Sequence, residues 1–267
     1  MSIQQSEAIE SDALEALLQV ASDSDKIALG LDWERSDSVL FASAANLPDT
    51  AIVINRTMVN PGPIEDHDTI LKQIVDKYRR AKVGSYLVQV TSDQTTTAAR
   101  QGLHPTRAWQ KFKRGTAPIS LPSSRLSVKR ITEKEGHDFA RIVCPAFDLG
   151  EEAQSWFSKL PASPNWQIYM CFDDGSPAGV GALYVKGDAA WLDFGATAPE
   201  HRQKGVQTSV LATRVNAALA QGCTQLFTCT GVDVPGDPQH SYKNILKVGF
   251  EESYVRYNYT LASDNTV

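Results

Sequence analysis

The stretch Thr197-Ala198-Pro199-Glu200-His201-Arg202-Gln203-Lys204-Gly205-Val206-Gln207 gathers residues that suit a bulky phosphate. It joins a run that reads as a strand to a run that reads as a helix. Gly205 lets the backbone approach an anion closely. The N–H groups of the first helical turn have no intrahelical partners and point outward, with the positive end of the helix dipole behind them. Arg202 and Lys204 add full charges. Together these features fit a pyrophosphate. A plain helix start with one loop glycine is the competing reading, because short glycine motifs recur by chance. Other chemistry is sparser. Cys144, Cys171, Cys223 and Cys229 are scattered and lack CxxC spacing, which argues against a zinc site and for small buried hydrophobes in a reducing cytosol.

The elements around the loop follow from apolar spacing. Residues 6–22 read as a helix with Ile9, Ala13, Leu17 and Val20 on one face. Runs 39–42 and 51–54 read as strands, 68–81 as a helix, 86–90 as a strand, 93–102 as a helix and 107–113 as a strand. Gly115 to Ser124 is rich in Pro, Ser and Gly and reads as a linker. Beyond it come a strand at 126–130, helices at 133–143 and 151–159, and strands at 166–172 and 179–185 joined by an Asp-Asp-Gly-Ser turn. A strand at 189–197, a helix at 206–220 and a strand at 225–230 form a crossover, which makes neighbouring parallel strands. A short helix at 241–247 and a strand at 251–261 follow. The pattern predicts a mixed-sheet α/β fold, with domains at 1–115 and 126–267 and a linker at 116–125.

Here the sequence resembles the GNAT superfamily of acyl-CoA-dependent N-acyltransferases. That family's coenzyme loop reads Arg/Gln-x-x-Gly-x-Gly/Ala; this chain has Arg202-Gln203-Lys204-Gly205-Val206-Gln207, with Gln207 in place of a small residue. Ser241-Tyr242-Lys243-Asn244-Ile245-Leu246-Lys247-Val248-Gly249-Phe250 is similar to the family's closing motif, an Asn-containing helix that ends in Gly-Phe. The resemblance covers about 126–261. It implies that acetyl-CoA is the cosubstrate and an amine the acceptor, and that Asn244 contacts the coenzyme arm. It also implies a bulge in the strand before the loop, with the backbone of Gly195, Ala196 and Thr197 binding pantetheine and polarising the thioester. Glycine within a strand often marks a bulge; tolerance for close packing is the alternative.

Acyl transfer needs a neutral amine, although a lysine-like amine has a pKa of about 10.4. It also needs donors for the oxyanion and a proton for the leaving thiolate. Asp193, among Trp191, Leu192 and Phe194, is the candidate base; an outward-facing aspartate is the alternative. Many family members place a Tyr after the closing Asn as the acid, whereas this chain has Ile245. Tyr242, three residues earlier on the short helix, is the candidate substitute. Tyr254, Tyr257 and Tyr259 are weaker ones, and His201 and His240 flank the coenzyme region. Cys229 would support a covalent route only against the family's habit of direct transfer. Phe147, Trp156 and Phe157 are candidates for an acceptor pocket or for core.

The order of elements over 36–114 echoes the later half, down to Gly102-Leu103 before a strand. Pro61-Gly62-Pro63-Ile64-Glu65-Asp66 stands where a phosphate loop belongs; its acids and prolines oppose a pyrophosphate. This half reads as a degenerate GNAT-like repeat in a tandem arrangement, or as an unrelated α/β domain. The net charge of −5 and the absence of a basic stripe argue against nucleic acid. Lys77, Arg79, Arg80 and Lys82 read as a solvated helix face. No run approaches the roughly 20 apolar residues of a membrane span, and the acidic N-terminus does not read as a secretory signal. The expectation is a cytoplasmic N-acetyltransferase without a metal, with a homodimer left open. A non-catalytic acyl-CoA-binding module and an interaction scaffold built on the N-terminal half are the other readings.

Overall fold

The computed structural model describes residues 3–61, 66–120, 125–236 and 239–261. The N-terminal half runs α1 (Ile3–Gln19), α2 (Asp23–Leu29), β1 (Leu31–Arg35), β2 (Val39–Ala44), β3 (Arg56–Val59), α3 (His67–Ala81), β4 (Leu87–Val90), α4 (Thr95–Arg100) and β5 (Leu103–Arg114). The C-terminal half runs β6 (Leu126–Arg130), α5 (Gly136–Ala146), α6 (Gln154–Phe157), β7 (Trp166–Asp173), β8 (Ser176–Lys186), β9 (Ala189–Thr197), α7 (Val206–Ala220), β10 (Gln225–Gly231), α8 (His240–Lys247) and β11 (Glu251–Leu261).

Several elements differ from the expectation, among them the helix expected over 151–159, which is α-helical only at Gln154–Phe157. The helix expected over 6–22 stops at Gln19, and Ser22 opens a second helix. Its side chain accepts from Asp25 N, while its own N–H donates to the Asp25 carboxylate, a reciprocal cap. Gly30, at φ 59°, closes that helix in the left-handed region, and β1 follows. The expected strand over 51–54 is a turn, in which Ile54 N donates to Ala51 O, and both side chains are buried. The true strand is β3, buried at every position although it begins with arginine. Of the expected linker, residues 121–124 lie outside the described residues. Ile119 is tied through its N–H and C=O to the Asn216 side chain on α7, at 2.9 and 2.8 Å.

The strands form an 11-stranded sheet in the order β1-β2-β3-β4-β11-β5-β10-β9-β8-β7-β6. The two crossovers, β3–α3–β4 and β9–α7–β10, each bring parallel strands together, as helical crossovers must. The centre is unusual. β11 lies against β4 of the other half, β5 lies against β10, and β5 and β11 pair with each other. Each half therefore lends its last strand to the other's side of the sheet. One core joins α1, α5 and α6 over the sheet centre, where Trp156 Nε1 donates to Leu17 O at 2.9 Å. On separate cores, α7 and α8 cover the C-terminal strands and α3 and α4 the N-terminal ones.

Candidate active site

β9 and β10 are paired only from Ala189 to Trp191 and from Gln225 to Phe227. Beyond that point the Thr228 hydroxyl, rather than a backbone N–H, donates to Leu192 O at 2.8 Å. On its other side β9 is paired Val180↔Ala196 and then Ala182↔Asp193, so Phe194 and Gly195 together face Gly181. This is the bulge expected beside Gly195. Phe194 takes φ 47°, a left-handed conformation that costs about 1–2 kcal/mol for a side-chain-bearing residue. Its ring is held against Phe147 and Phe157, at 5.4 and 5.2 Å between centroids, which offsets that cost.

Arg214 of α7 reaches under the bulge. Its Nη1 donates to Ala182 O and Asp193 O, both at 2.8 Å, carbonyls that a regular ladder would use itself. A Cβ at Gly181 would stand 2.5 Å from the Arg214 guanidinium carbon, so glycine there makes room for the cation. Burial pulls the Arg214 pKa down to about 10, with the Asp193 charge opposing the fall; it remains a cation at neutral pH.

The splay opens a cavity of about 220 Å³. Leu192, Gln207, Leu211 and Ile245 line it from the α7 and α8 side. Asp193, Cys229 and Phe147 line it with Val53, Arg56 and Trp109, three residues of the N-terminal half. That contribution was not visible in the sequence, because the chain order alone does not show which strand of the other half lies beside β10.

Below the cavity, the loop makes a 3-10 turn at Pro199–His201; Gln203 and Gly205 are left-handed at φ 63° and 84°. Gly205 is the N-cap of α7, with no side-chain cap, and the first turn holds no acid. A Cβ at 205 meets nothing within 4 Å, so the backbone conformation, not crowding, favours glycine there. Arg202 and Lys204 are exposed. Asp173, at the end of β7, anchors the loop. Its Oδ2 lies 2.9 Å from His201 Nδ1 and accepts from Lys204 Nζ at 3.4 Å, and its Oδ1 lies 3.0 Å from Arg125 Nε. The bond to His201, with Lys204 and Arg125 adding, holds the Asp173 carboxyl below the usual carboxylate range. The sequence showed Asp173 only as a turn residue. Asn244 Nδ2 donates to Gln207 Oε1 at 2.6 Å, and Thr208 Oγ1 donates to Asn244 Oδ1 at 3.3 Å, so the closing helix is fastened to the first turn of α7.

Asp193 faces the cavity; Oδ2 accepts from Trp191 Nε1 at 2.9 Å and Oδ1 from the Phe194 N–H at 2.8 Å. Tyr242 is not brought to it. Ser241 and Ile245, one helical turn apart, are the α8 residues that line the cavity, and Tyr242 is turned about 100° from Ser241 around the axis. Its ring meets Phe112 edge-on at 5.0 Å, and its hydroxyl donates to Glu252. Burial and that bond push its pKa up to about 12. The geometry thus withdraws the support that helical spacing gave Tyr242 as the acid. Ser241, which the same spacing could have found, sits there instead, its Oγ 2.7 Å from Thr230 Oγ1. Burial pushes the Cys229 thiol up to about 12, with Lys111 pulling the other way, so it is a poor nucleophile at neutral pH. His201 belongs to the loop anchor, His240 is exposed, and Tyr254 donates to Glu7. Trp156 and Phe157 are core.

The corresponding places in the N-terminal half are closed. Residues 62–65 of the acidic stretch lie outside the described residues. Asp66 caps α3, accepting from Thr69 N at 3.1 Å. Arg256, fully buried, donates to Val59 O and Gln89 O and so bridges the parallel pair β3 and β4. Among the described residues no group of three His, Cys, Asp or Glu could hold a metal, and no helix is long and apolar enough to cross a membrane.

Residues 136–242 match the family model described as Acetyltransferase (GNAT) family. No curated protein matches the sequence. Among solved structures, the fold is similar to a GCN5-related N-acetyltransferase from Kribbella flavida (TM-score 0.67, 14% identity, covering 97% of this chain and 96% of that one). It is also similar to a tandem GNAT protein from the clavulanic acid biosynthesis pathway (TM-score 0.59, 14% identity, covering 100% and 97%). A GCN5-related N-acetyltransferase from Sphaerobacter thermophilus matches at TM-score 0.59 and 11% identity, covering 85% and 81%. At such identities these are likenesses of fold. The chain has the GNAT fold over both halves, and residues 136–242 match the model of the GNAT acetyltransferase family.

Proposed function

We propose that the protein transfers an acetyl group from acetyl-CoA directly to an amine. The observation that carries this reading is the cavity through the β9–β10 splay, with the uncapped start of α7 on one side and Asp193 on the other. Arg202, Gln203, Lys204 and the N–H groups from Gly205 to Gln207 are suited to hold a pyrophosphate. Asn244, and the backbone of Gly195, Ala196 and Thr197, would hold the pantetheine arm. Acetyl-CoA supplies the acetyl group as a thioester. The backbone at the bulge offers N–H donors to the carbonyl oxygen as charge develops there. The amine nitrogen attacks the carbonyl carbon, its proton passes to Asp193, and the carbon–sulfur bond breaks. The thiolate leaves beside the Ser241 hydroxyl and takes its proton from water.

In this reading the N-terminal half is a GNAT-like unit that has given up the coenzyme and supplies one wall of the acceptor side. Calorimetry with acetyl-CoA on the full chain, followed by thiol release across a panel of amines, is the test. Absence of acetyl-CoA binding would end the proposal. Binding without amine-dependent thiol release would favour a non-catalytic acyl-CoA module, a reading supported by Ile245 at the usual acid position and by the outward-turned Tyr242.

A further inference from the structure

Accepting that reading, we propose that the acceptor amine also carries a carboxylate, and that Arg56 of the N-terminal half receives it. Arg56 is 5% exposed and lines the cavity. Its Nη1 donates to Glu10 Oε1 at 3.0 Å, and its guanidinium stacks over the Trp109 ring at 5.1 Å. Its Nε is buried and has no hydrogen-bond partner among the described residues.

The charge balance points the same way. Glu10 also accepts from Lys111 Nζ, and both side chains are fully buried. Burial alone would raise the Glu10 carboxyl, but the charges of Lys111 and Arg56 overcome it and hold it ionised. One carboxylate therefore serves two cations. The neighbouring pair, Glu7 and Arg256 at 3.3 Å, balances in charge, although Arg256 Nε and Nη1 also have no hydrogen-bond partner among the described residues. One positive charge is left over, and it borders the cavity through Arg56. A buried cation without its full complement of acceptors is costly, and a ligand anion would restore the balance. Arg56 is bonded to Glu10 of α1 and Phe147 packs on the core that joins α1, α5 and α6, whereas Gln207 and Leu211 line the cavity from α7. The anion is thus a part of the acceptor. A planar carboxylate suits a guanidinium edge, and Asp193, which lines the same cavity, suits the amine. The substrate class is that of amino acids.

The test uses the full chain, acetyl-CoA and matched pairs: alanine against ethylamine, phenylalanine against 2-phenylethylamine, lysine against cadaverine. A charged hydrogen bond of about 1.5–3 kcal/mol corresponds to a kcat/KM preference of roughly 10–150-fold for the carboxylated member, expressed mainly in KM. Arg56→Gln should bring that ratio to about one. Arg56→Lys, which keeps a cation against Glu10, should retain part of it and guards against a Gln variant that fails to fold. Equal or better use of the decarboxylated amine in every pair would overturn the inference, as would a ratio that survives in a folded Arg56→Gln. So would an Arg56-dependent preference for succinyl-CoA over acetyl-CoA with neutral amines, which would put the anion on the acyl group. Saturation-transfer NMR of the same amino acids separates this inference from the one it rests on. Binding that Arg56→Gln abolishes, without any thiol release, would uphold the carboxylate site and sink the transfer. Thiol release without carboxylate selectivity would do the reverse.

Discussion

The starts of α3 and α7 occupy equivalent places in the two halves, each following a strand of a parallel crossover. At α7, Gly205 leaves the first turn uncapped, beside Arg202 and Lys204. At α3, Asp66 gives its carboxylate to Thr69 N, placing a negative charge where a phosphate would sit. The strands behind them differ in the same sense. β9 and β10 part to form a cavity, whereas Arg256 spans β3 and β4 through Val59 O and Gln89 O. The scaffold is common to both halves. The two halves differ in a cap withheld and a gap left unbridged, and on the proposed reading that difference makes one of them the site.

The sharpest test of that contrast is at the gap. Asp193→Asn should lower turnover by roughly 10²–10⁴-fold, the range for a general base, while the acetyl-CoA Kd from calorimetry barely moves. Wild-type turnover would return Asp193 to a structural part in holding the Trp191 indole. Next is the open cap. Gly205→Glu must adopt φ 84° with a side chain and brings a like charge to the proposed phosphate site. The two effects together, about 2–3 kcal/mol, should weaken acetyl-CoA binding by roughly 30–150-fold with the circular dichroism spectrum preserved. Unaltered affinity in a folded variant would show that the coenzyme lies elsewhere.

A smaller effect sharpens the comparison from the other side. Asp66→Gly removes the cap, and glycine suits the φ of 64° there, so the thermal midpoint should barely move. Calorimetry should still count one acetyl-CoA per chain, because Arg256 keeps the strands bridged. A second site would mean that the cap alone decides. The smallest effect is expected at Tyr242, whose hydroxyl donates to Glu252: Tyr242→Phe should change stability by no more than about 0.5 kcal/mol and leave kcat within about twofold. A tenfold loss in kcat would restore it as the acid.

The pattern of what the sequence revealed follows from range. The proposed coenzyme loop is one contiguous stretch, and its cations, its glycine and the helix after it are read together. The bulge at Gly195 is likewise local. Tyr242 was misplaced because i, i+3 and i, i+4 neighbours share a face only broadly, and the core contact with Phe112 fixed the rotation of α8. Arg56 was missed altogether. An arginine opening a short buried strand gives no apolar periodicity, and its partners, Glu10 and Trp109, lie in elements far from it in sequence. The break at Ser22 was legible, since Ser22, Asp25 and Gly30 spell a helix start and stop, yet the continuous apolar spacing of α1 masked it.

The pairing of β11 with β4 sets the order in which the molecule can be built. Gln89 and Asn258 hydrogen-bond across 169 residues, so the inner edge of the N-terminal sheet lacks its native neighbour until β11 has been made. Contacts of such separation are slow to close, and an unfilled strand edge invites pairing with other chains. The N-terminal half must therefore wait on the ribosome incompletely folded, and the two halves should unfold in one transition rather than two. A cut between residues 115 and 126 would give not two small proteins but two fragments, each carrying a strand that the other needs.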